Sequence, residues 1–378
     1  MRIVLAPDSF KGSLTARAVC DALSRGLARA MPDVEIVARP MADGGEGTLD
    51  AVLAAVGERG ARHHEEVTGA GGDRVRAAYG VIDGTTAVIE VAQVVGITDR
   101  DGMRTHVEER TTRGIGELIA RLVDRGIRRF MIGLGGSSTN DGGSGLLHAL
   151  GVRLHDAAGR DLAPTPRGLA SIAHVEARDI AARLRGVEIS IMSDVDNPLC
   201  GRMGATAIFG PQKGVPPADV ERIDDVLRRF ARASQIALAS EVMDKPGSGA
   251  AGGLGFALQL VGGTMRSGAE VVADLVRLDD ALASADWAVT GEGRSDRQTL
   301  LSKAPFVVAR HASALGVPVT LLSGAVDDGA LPDLHEHFRG CFALPARPMT
   351  LDECMRDAAT LLAARAESLG HVIAAAVK

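Results

Sequence analysis

Both ends of this chain alternate short apolar runs with amphipathic helical stretches, and that alternation restricts the fold more than any other feature. The opening "RIVLAP" is a short apolar run of the kind buried in a parallel sheet. Thr15 then caps a helix predicted to reach about Ala30, with Val19, Leu23 and Leu27 at four-residue spacing. "VEIVARPM" reads as the next strand and "EGTLDAVLAAVG" as the next helix. Strand–helix–strand–helix order implies right-handed crossovers and an open parallel sheet. The same alternation resumes near residue 286 with "DWAVTGEG", a helix from Ala304 to Leu315, "VPVTLLSG", a short "CFAL" and a C-terminal helix.

The middle of the chain reads differently. "ARHHEEVTG", "RVRAAYGVI" and "TAVIEVA" are successive strand-like runs separated by turn residues rather than helices, which implies an antiparallel or mixed sheet. "TTRGIGELIARLVDRG", "RFMIGLG" and "VEISIMSD" then read as helix, strand and strand. At 378 residues the chain is long for one core and comfortable for two. The predicted fold class is therefore α/β with two domains. One is a discontinuous, open, Rossmann- or flavodoxin-like domain of residues 1–65 and 286–378; the other is an inserted mixed-sheet domain of residues 66–285.

Composition excludes several classes of function. Aromatic residues make up only 3% and the net charge is -6, so the stacking platforms and basic footprint of a nucleic-acid partner are missing. Cys20, Cys200, Cys341 and Cys354 are far apart with no CxxC pair, which argues against a zinc site or a disulfide framework. No window approaches about 18 uninterrupted apolar residues, so no membrane span is expected. The expected setting is the cytoplasm.

The chemistry-bearing residues gather in glycine-rich clusters at predicted strand ends, where open α/β sheets place their ligands. "PDSFKGSL" carries Asp8, Ser9 and Lys11, and "MADGGEGT" carries Asp43 and Glu46. "GLGGSSTNDGGSG" supplies Gly135, Gly136, Ser137, Ser138, Thr139 and Asn140 in a small-residue loop entering a helix, which reads as a phosphate cradle or as a tight strand–helix turn. "IMSDVDNPLCG" places Asp194 and Asp196 one residue apart, with Lys213 in the nearby "GPQKG". "GSGAAGGLG" contributes Gly252 and Gly253, and "TGEGRSDRQTLLSKAP" contributes Glu292, Arg294, Asp296 and Lys303. Neither GxxxxGK[ST] nor a clean GxGxxG occurs. Lysines beside glycine and hydroxyl residues suit phosphate or carboxylate, and magnesium prefers one or two carboxylates plus substrate phosphates. An aspartate beside glycine is also a common cap, and Glu46 and Asp141, each at a helix start, fit that role best.

Together and in this order, "APDSFKGSL", "PMADGGEGT", "GLGGSSTNDGG", "SDVDNPLCG" with "FGPQKG", "GAAGGLG" and "TGEGRSDRQTL" resemble the bacterial type-one glycerate kinase family. The resemblance spans nearly the whole chain. It implies ATP-dependent phosphorylation of D-glycerate with Mg2+, giving 2-phosphoglycerate, in a cleft between two α/β domains. The 2-position comes from the resemblance alone. One departure is Ser302, which stands before Lys303 where the family has glycine.

The chemistry of the residues assigns roles. Ser9, Lys11 and Arg294, with Asp43, would hold glycerate, and Asp194 would orient and deprotonate its hydroxyl. Asp196 and Asp43 would hold magnesium. Gly135 to Asn140, with Gly252 and Gly253, would cradle ATP phosphates, and Lys213 would offset charge on the transferred phosphoryl group. Two rival readings exist. A haloacid-dehalogenase-like phosphatase would use the DxD of Asp194 and Asp196, although Pro198 replaces the threonine or valine that such a motif requires. A non-catalytic sugar-acid-binding protein is the other.

Overall fold

The computed structural model describes residues 1–42, 47–301 and 303–376, so Asp43, Glu46 and Ser302 lie outside the described residues. The chain divides into two compact units, one of Met1–Asp43, Asp50–Gly57 and Ser267–Lys378, the other of Gly44–Leu49 and Glu58–Arg266.

The first unit is built on a five-stranded sheet in the order Gly340–Ala343, Val319–Ser323, Trp287–Thr290, Arg2–Leu5, Glu35–Ala38. Every pairing in it is parallel. Ile3, Val4 and Leu5 are fully buried, as a strand covered on both faces requires. The crossover from Leu5 to Glu35 runs through helix Ala16–Ala30, whose N-cap Thr15 accepts a hydrogen bond from the Ala18 N–H. Val19, Leu23 and Leu27 form its buried face and share a core with Ala358, Leu362, Ala366 and Ile373 of the C-terminal helix Ala358–Ala376.

These two helices approach at backbone distance. A Cβ on Gly26 would stand 2.1 Å from the Ala363 carbonyl oxygen, and one on Gly370 would stand 2.7 Å from the Ala30 Cβ. The chain needs glycine there because the Ala363 carbonyl is backbone and the Ala30 Cβ is fixed to backbone, so neither can swing away.

The second unit carries a six-stranded mixed sheet in the order Thr264–Arg266, Glu188–Met192, Arg129–Gly133, Thr86–Glu90, Arg74–Ile82, Gly60–Thr68. The first four strands are parallel and the last two join antiparallel. Ile89, Phe130, Ile132 and Ile191 from the sheet pack with Ile115, Leu118 and Ile119 of helix Arg113–Asp124.

The observed division differs from the sequence-based boundaries at 65/66 and 285/286, for two physical reasons. Residues 60 to 68 form one strand paired along its length with Arg74–Ile82, so no break can fall at residue 65. Helices Gly268–Leu275 and Leu278–Leu282 go with helix Ala304–Ala314 of the first unit. His311 there lies 2.6 Å from the Asp279 carboxylate through Nδ1 and 3.0 Å from the Glu270 carboxylate through Nε2.

Gly26→Ala tests the helix crossing. Alanine gains about 1 kcal/mol of helix propensity, but forcing a methyl onto a carbonyl costs about 1–3 kcal/mol. The variant should lose stability in urea denaturation; an unchanged or higher midpoint would show that the helices separate without cost.

Candidate functional site

The described candidate residues form two sets, one in each unit. In the first unit, the adjacent parallel strands 319–323, 287–290 and 2–5 end side by side, and their following turns are tied together. The Asp8 N–H donates to the Gly291 carbonyl at 2.8 Å, and the Gly324 N–H donates to the Glu292 carbonyl at 3.0 Å. A cavity of about 740 Å³ opens over these turns, lined by Asp8, Ser9, Lys11, Glu292, Arg294 and Lys303 among others. The structure therefore brings Ser9, Lys11 and Arg294 together at one pocket.

The carboxylates in this pocket differ in character. Glu292 is buried and accepts from Thr299 Oγ1 at 2.6 Å and Ser295 Oγ at 3.0 Å, with the Lys303 ammonium 3.9 Å from its other oxygen. Asp296 caps the following turn, accepting from the Gln298 N–H at 2.8 Å in a capping box with Thr299. Arg294 is exposed, its guanidinium 3.5 Å from Asp327. Leu344, Pro345, Met349, Leu351 and Met355 give the same cavity an apolar part of its lining. No periodic pattern announces these residues in the sequence, because they come from an irregular segment and a short helix.

In the second unit, loop 134–143 leaves the strand end at Gly133 and enters helix Ser144–Ala149. Of the loop's candidate residues only Gly135 and Gly136 are accessible; Ser137, Ser138, Thr139 and Asn140 are buried. Asp141 is fully buried beneath them and accepts from the Thr112 N–H and hydroxyl, both at 2.8 Å, and from the Gly143 and Gly145 N–H groups at 3.0 and 3.1 Å. Burial still raises its pKa above the ordinary carboxylate value, against those donors. Its work is structural: it ties Thr112, which precedes helix Arg113–Asp124, to the N–H groups that open helix Ser144–Ala149.

Lys213 lies behind the same loop. Its ammonium donates to Ser137 Oγ at 2.9 Å and to the Thr139 carbonyl at 2.8 Å, and the side chain is 2% exposed. Burial pulls its pKa down to about 7; the Asp141 charge opposes that shift and Arg110 adds to it. Arg110 went unnoticed in the sequence. Within "EERTTRG" it looks like one more surface charge, yet it is buried. Its guanidinium donates to the carbonyls of Met103, Thr105, Ser138 and Lys213, binding the loop to the lysine turn.

The glycines of 247–255 face protein. A Cβ on Gly252 would stand 2.0 Å from the Thr139 carbonyl, and one on Gly253 would stand 2.4 Å from Gly142 Cα. On the other side, a Cβ on Gly249 would stand 2.3 Å from the Pro198 carbonyl, while the Gly249 N–H donates to the Asn197 carbonyl at 2.8 Å. This segment wedges between the loop and the DVDNP stretch. Asp194 and Asp196 are both exposed and lie past the strand end at Met192, on irregular backbone. Strand geometry therefore does not place them on a shared face.

Asp43 lies outside the described residues, and no group of three or more His, Cys, Asp or Glu poised around a metal occurs among the described ones. Asp196 is exposed, and a single carboxylate fits magnesium, which takes one or two and completes its shell with phosphate and water. No helix among the described residues is long and apolar enough to cross a membrane.

Comparison with known proteins gives one consistent family. The model of the glycerate kinase family matches residues 3–374. The glycerate kinase of Bacillus subtilis (strain 168) is 37% identical over 380 residues, covering 100% of this chain and 98% of that protein. The glycerate 2-kinase of Escherichia coli (strain K12) is 39% identical over 361 residues, covering 95% of this chain and 94% of that protein. A crystal structure assigned to a glycerate kinase 2 of Salmonella typhimurium LT2 superposes with a TM-score of 0.88 at 39% identity, covering 100% of this chain and 99% of that one. A match over the full length to this family leaves the phosphatase reading without support.

The buried lysine generates a pH prediction. A lysine whose folded pKa is about 7 instead of 10.5 carries fewer protons folded than unfolded between those values, so stability should rise with pH across that window. Lys213→Met should flatten the rise in urea denaturation at pH 6.5, 8 and 9.5. Parallel pH profiles for the two proteins would refute the depressed lysine.

Proposed function

The chain belongs to the glycerate kinase family, and on that premise we propose that it transfers the terminal phosphoryl group of ATP to the 2-hydroxyl of D-glycerate. The products are 2-phosphoglycerate and ADP, and the expected setting is the cytoplasm. The observation that carries this reading is the family match from residue 3 to residue 374. The pocket that brings Ser9, Lys11 and Arg294 together, with Asp8, Glu292 and Asp296 also in its lining, offers cations for a carboxylate and acceptors for hydroxyls, which supports this reading.

In this reading Lys11 and Arg294 pair with the glycerate carboxylate, and the Ser9 hydroxyl donates to it. Asp194 accepts the hydroxyl proton as the oxygen attacks phosphorus and ADP leaves with the electron pair of the broken P–O bond. Asp196, with Asp43, is assigned to magnesium, which when bound supplies positive charge to the phosphates.

The accessible backbone of Gly135 and Gly136 is assigned to those phosphates. Ser137 to Asn140, and Gly252 with Gly253, act from beneath by holding that backbone in shape. Lys213 contributes as a charge behind the loop: approach of phosphate favours its protonated form and draws its pKa upward.

A coupled assay for ADP release with D-glycerate, L-glycerate and other hydroxy acids tests the substrate. NMR of the product distinguishes 2- from 3-phosphoglycerate. Asp194→Asn should lower kcat by about 10²–10⁴-fold while ATP binding and the melting transition stay unchanged. Turnover near that of the wild type would remove Asp194 from the role of base.

A further inference from the structure

We propose that the apolar wall of the first unit's pocket is the binding surface for the adenine ring of ATP, an inference that rests on the kinase reading above. The pocket's lining is of two chemical kinds. Ser9, Lys11 and Arg294, with the carboxylates Asp8, Glu292 and Asp296, are polar or charged, whereas Leu344, Pro345, Met349, Leu351 and Met355 offer only apolar side chains.

D-glycerate carries a polar group on every carbon, so it gains nothing from an apolar wall and would have to be desolvated against it. A cavity of about 740 Å³ also falls within the size range of pockets that enclose drug-sized ligands. Of the two substrates, only the nucleotide has a flat aromatic part able to use this surface.

Exposure points the same way. Leu351 is 73% exposed and Met355 37% exposed, although both line a cavity. What distinguishes them from other exposed apolar residues is their place in the lining of one cavity with Leu344, Pro345 and Met349, where an apolar patch serves ligand binding. The wall is also held in place before any ligand arrives. Thr350 and Glu353 form a capping box that starts helix Leu351–Arg356. The turn after Lys11 abuts this helix, since a Cβ on Gly12 would stand 2.9 Å from the Met355 terminal methyl. Methionine suits the role, because thioether sulfur packs favourably on aromatic rings and its flexible chain adapts to their edges.

The two substrates then divide the pocket. The donors take the glycerate carboxylate, and the wall takes the purine.

Cys354 provides a reporter independent of turnover. It lines the same cavity, and it is partly accessible. Cys20 and Cys200 are buried with thiol pKa values pushed up to about 12, and burial pushes Cys341 up to about 11. Alkylation of the full-length protein with iodoacetamide, mapped by mass spectrometry, should therefore fall mainly on Cys354. Adenosine and ATP should slow that reaction several-fold, and inorganic tripolyphosphate and D-glycerate should not.

Replacing the wall with charge, as in Leu351→Asp and separately Met349→Asp, should raise KM for ATP about tenfold or more, the value of burying one such side chain. KM for D-glycerate should change little. Protection by tripolyphosphate but not adenosine, or a rise in the glycerate KM alone, would overturn the adenine assignment. Adenosine protection in a wild-type protein that forms no ADP with D-glycerate would instead keep the purine site and refute the proposed function.

Discussion

The buried charges under loop 134–143 are the constraint on which the second unit's site depends. A carboxylate and an ammonium are both removed from water there, Asp141 with four donors and Lys213 with two oxygen acceptors. Burying either alone costs far more than an ordinary hydrogen bond returns. The arrangement persists because each group is satisfied by backbone or hydroxyl atoms that the loop itself supplies, so the loop can take only the shape that satisfies them. Arg110 completes the restraint, since its planar fork reaches the carbonyls of Ser138 and Lys213 at once.

Glycine acts here chiefly as a packing residue. The 46 glycines of the chain suggest many ligand-facing loops, but Gly252, Gly253 and Gly249 spend their missing side chains on neighbouring backbone. Gly26 does the same at a helix crossing in the other unit. In each case the next atom is a carbonyl oxygen or an α-carbon, which cannot move aside. The consequence for the site is indirect: close packing of 247–255 on Thr139 and on Pro198 holds two motif-bearing segments at fixed spacing, with no ligand contact needed.

What could be read from the sequence, and what could not, follows from the range of the interactions. Thr15 with Val19, Leu23 and Leu27 is a local pattern, and the helix Ala16–Ala30 appears with that cap and that buried face. Asp141 beside two glycines reads locally as a cap, and it is one. The strand Gly60–Thr68 depends on its partner Arg74–Ile82 for its membership, so a boundary drawn from local pattern misplaced it. Arg110 is the sharpest failure. Its role depends on carbonyls contributed by residues 28 and 103 positions away, and no local pattern encodes that. The apolar run ahead of Asp194 and Asp196 reads as a strand, yet that strand stops at Met192 and leaves both on irregular backbone.

The same distinction explains why the apolar wall escaped sequence reading while the polar side of its pocket did not. Ser9, Lys11 and Arg294 each follow directly from a parallel strand, and the parallel order of strands 2–5, 287–290 and 319–323 forces their turns to one edge. Leu344, Pro345 and Met349 reach the pocket through an irregular path after strand Gly340–Ala343, and Leu351 and Met355 sit on a helix of six residues. Parallel-sheet topology thus announces where charge will gather, because the strand ends are fixed by the sheet. The apolar half is set by a path that no periodicity describes. The pocket draws on both sources, the regular sheet edge for its charge and the irregular segment for its apolar lining.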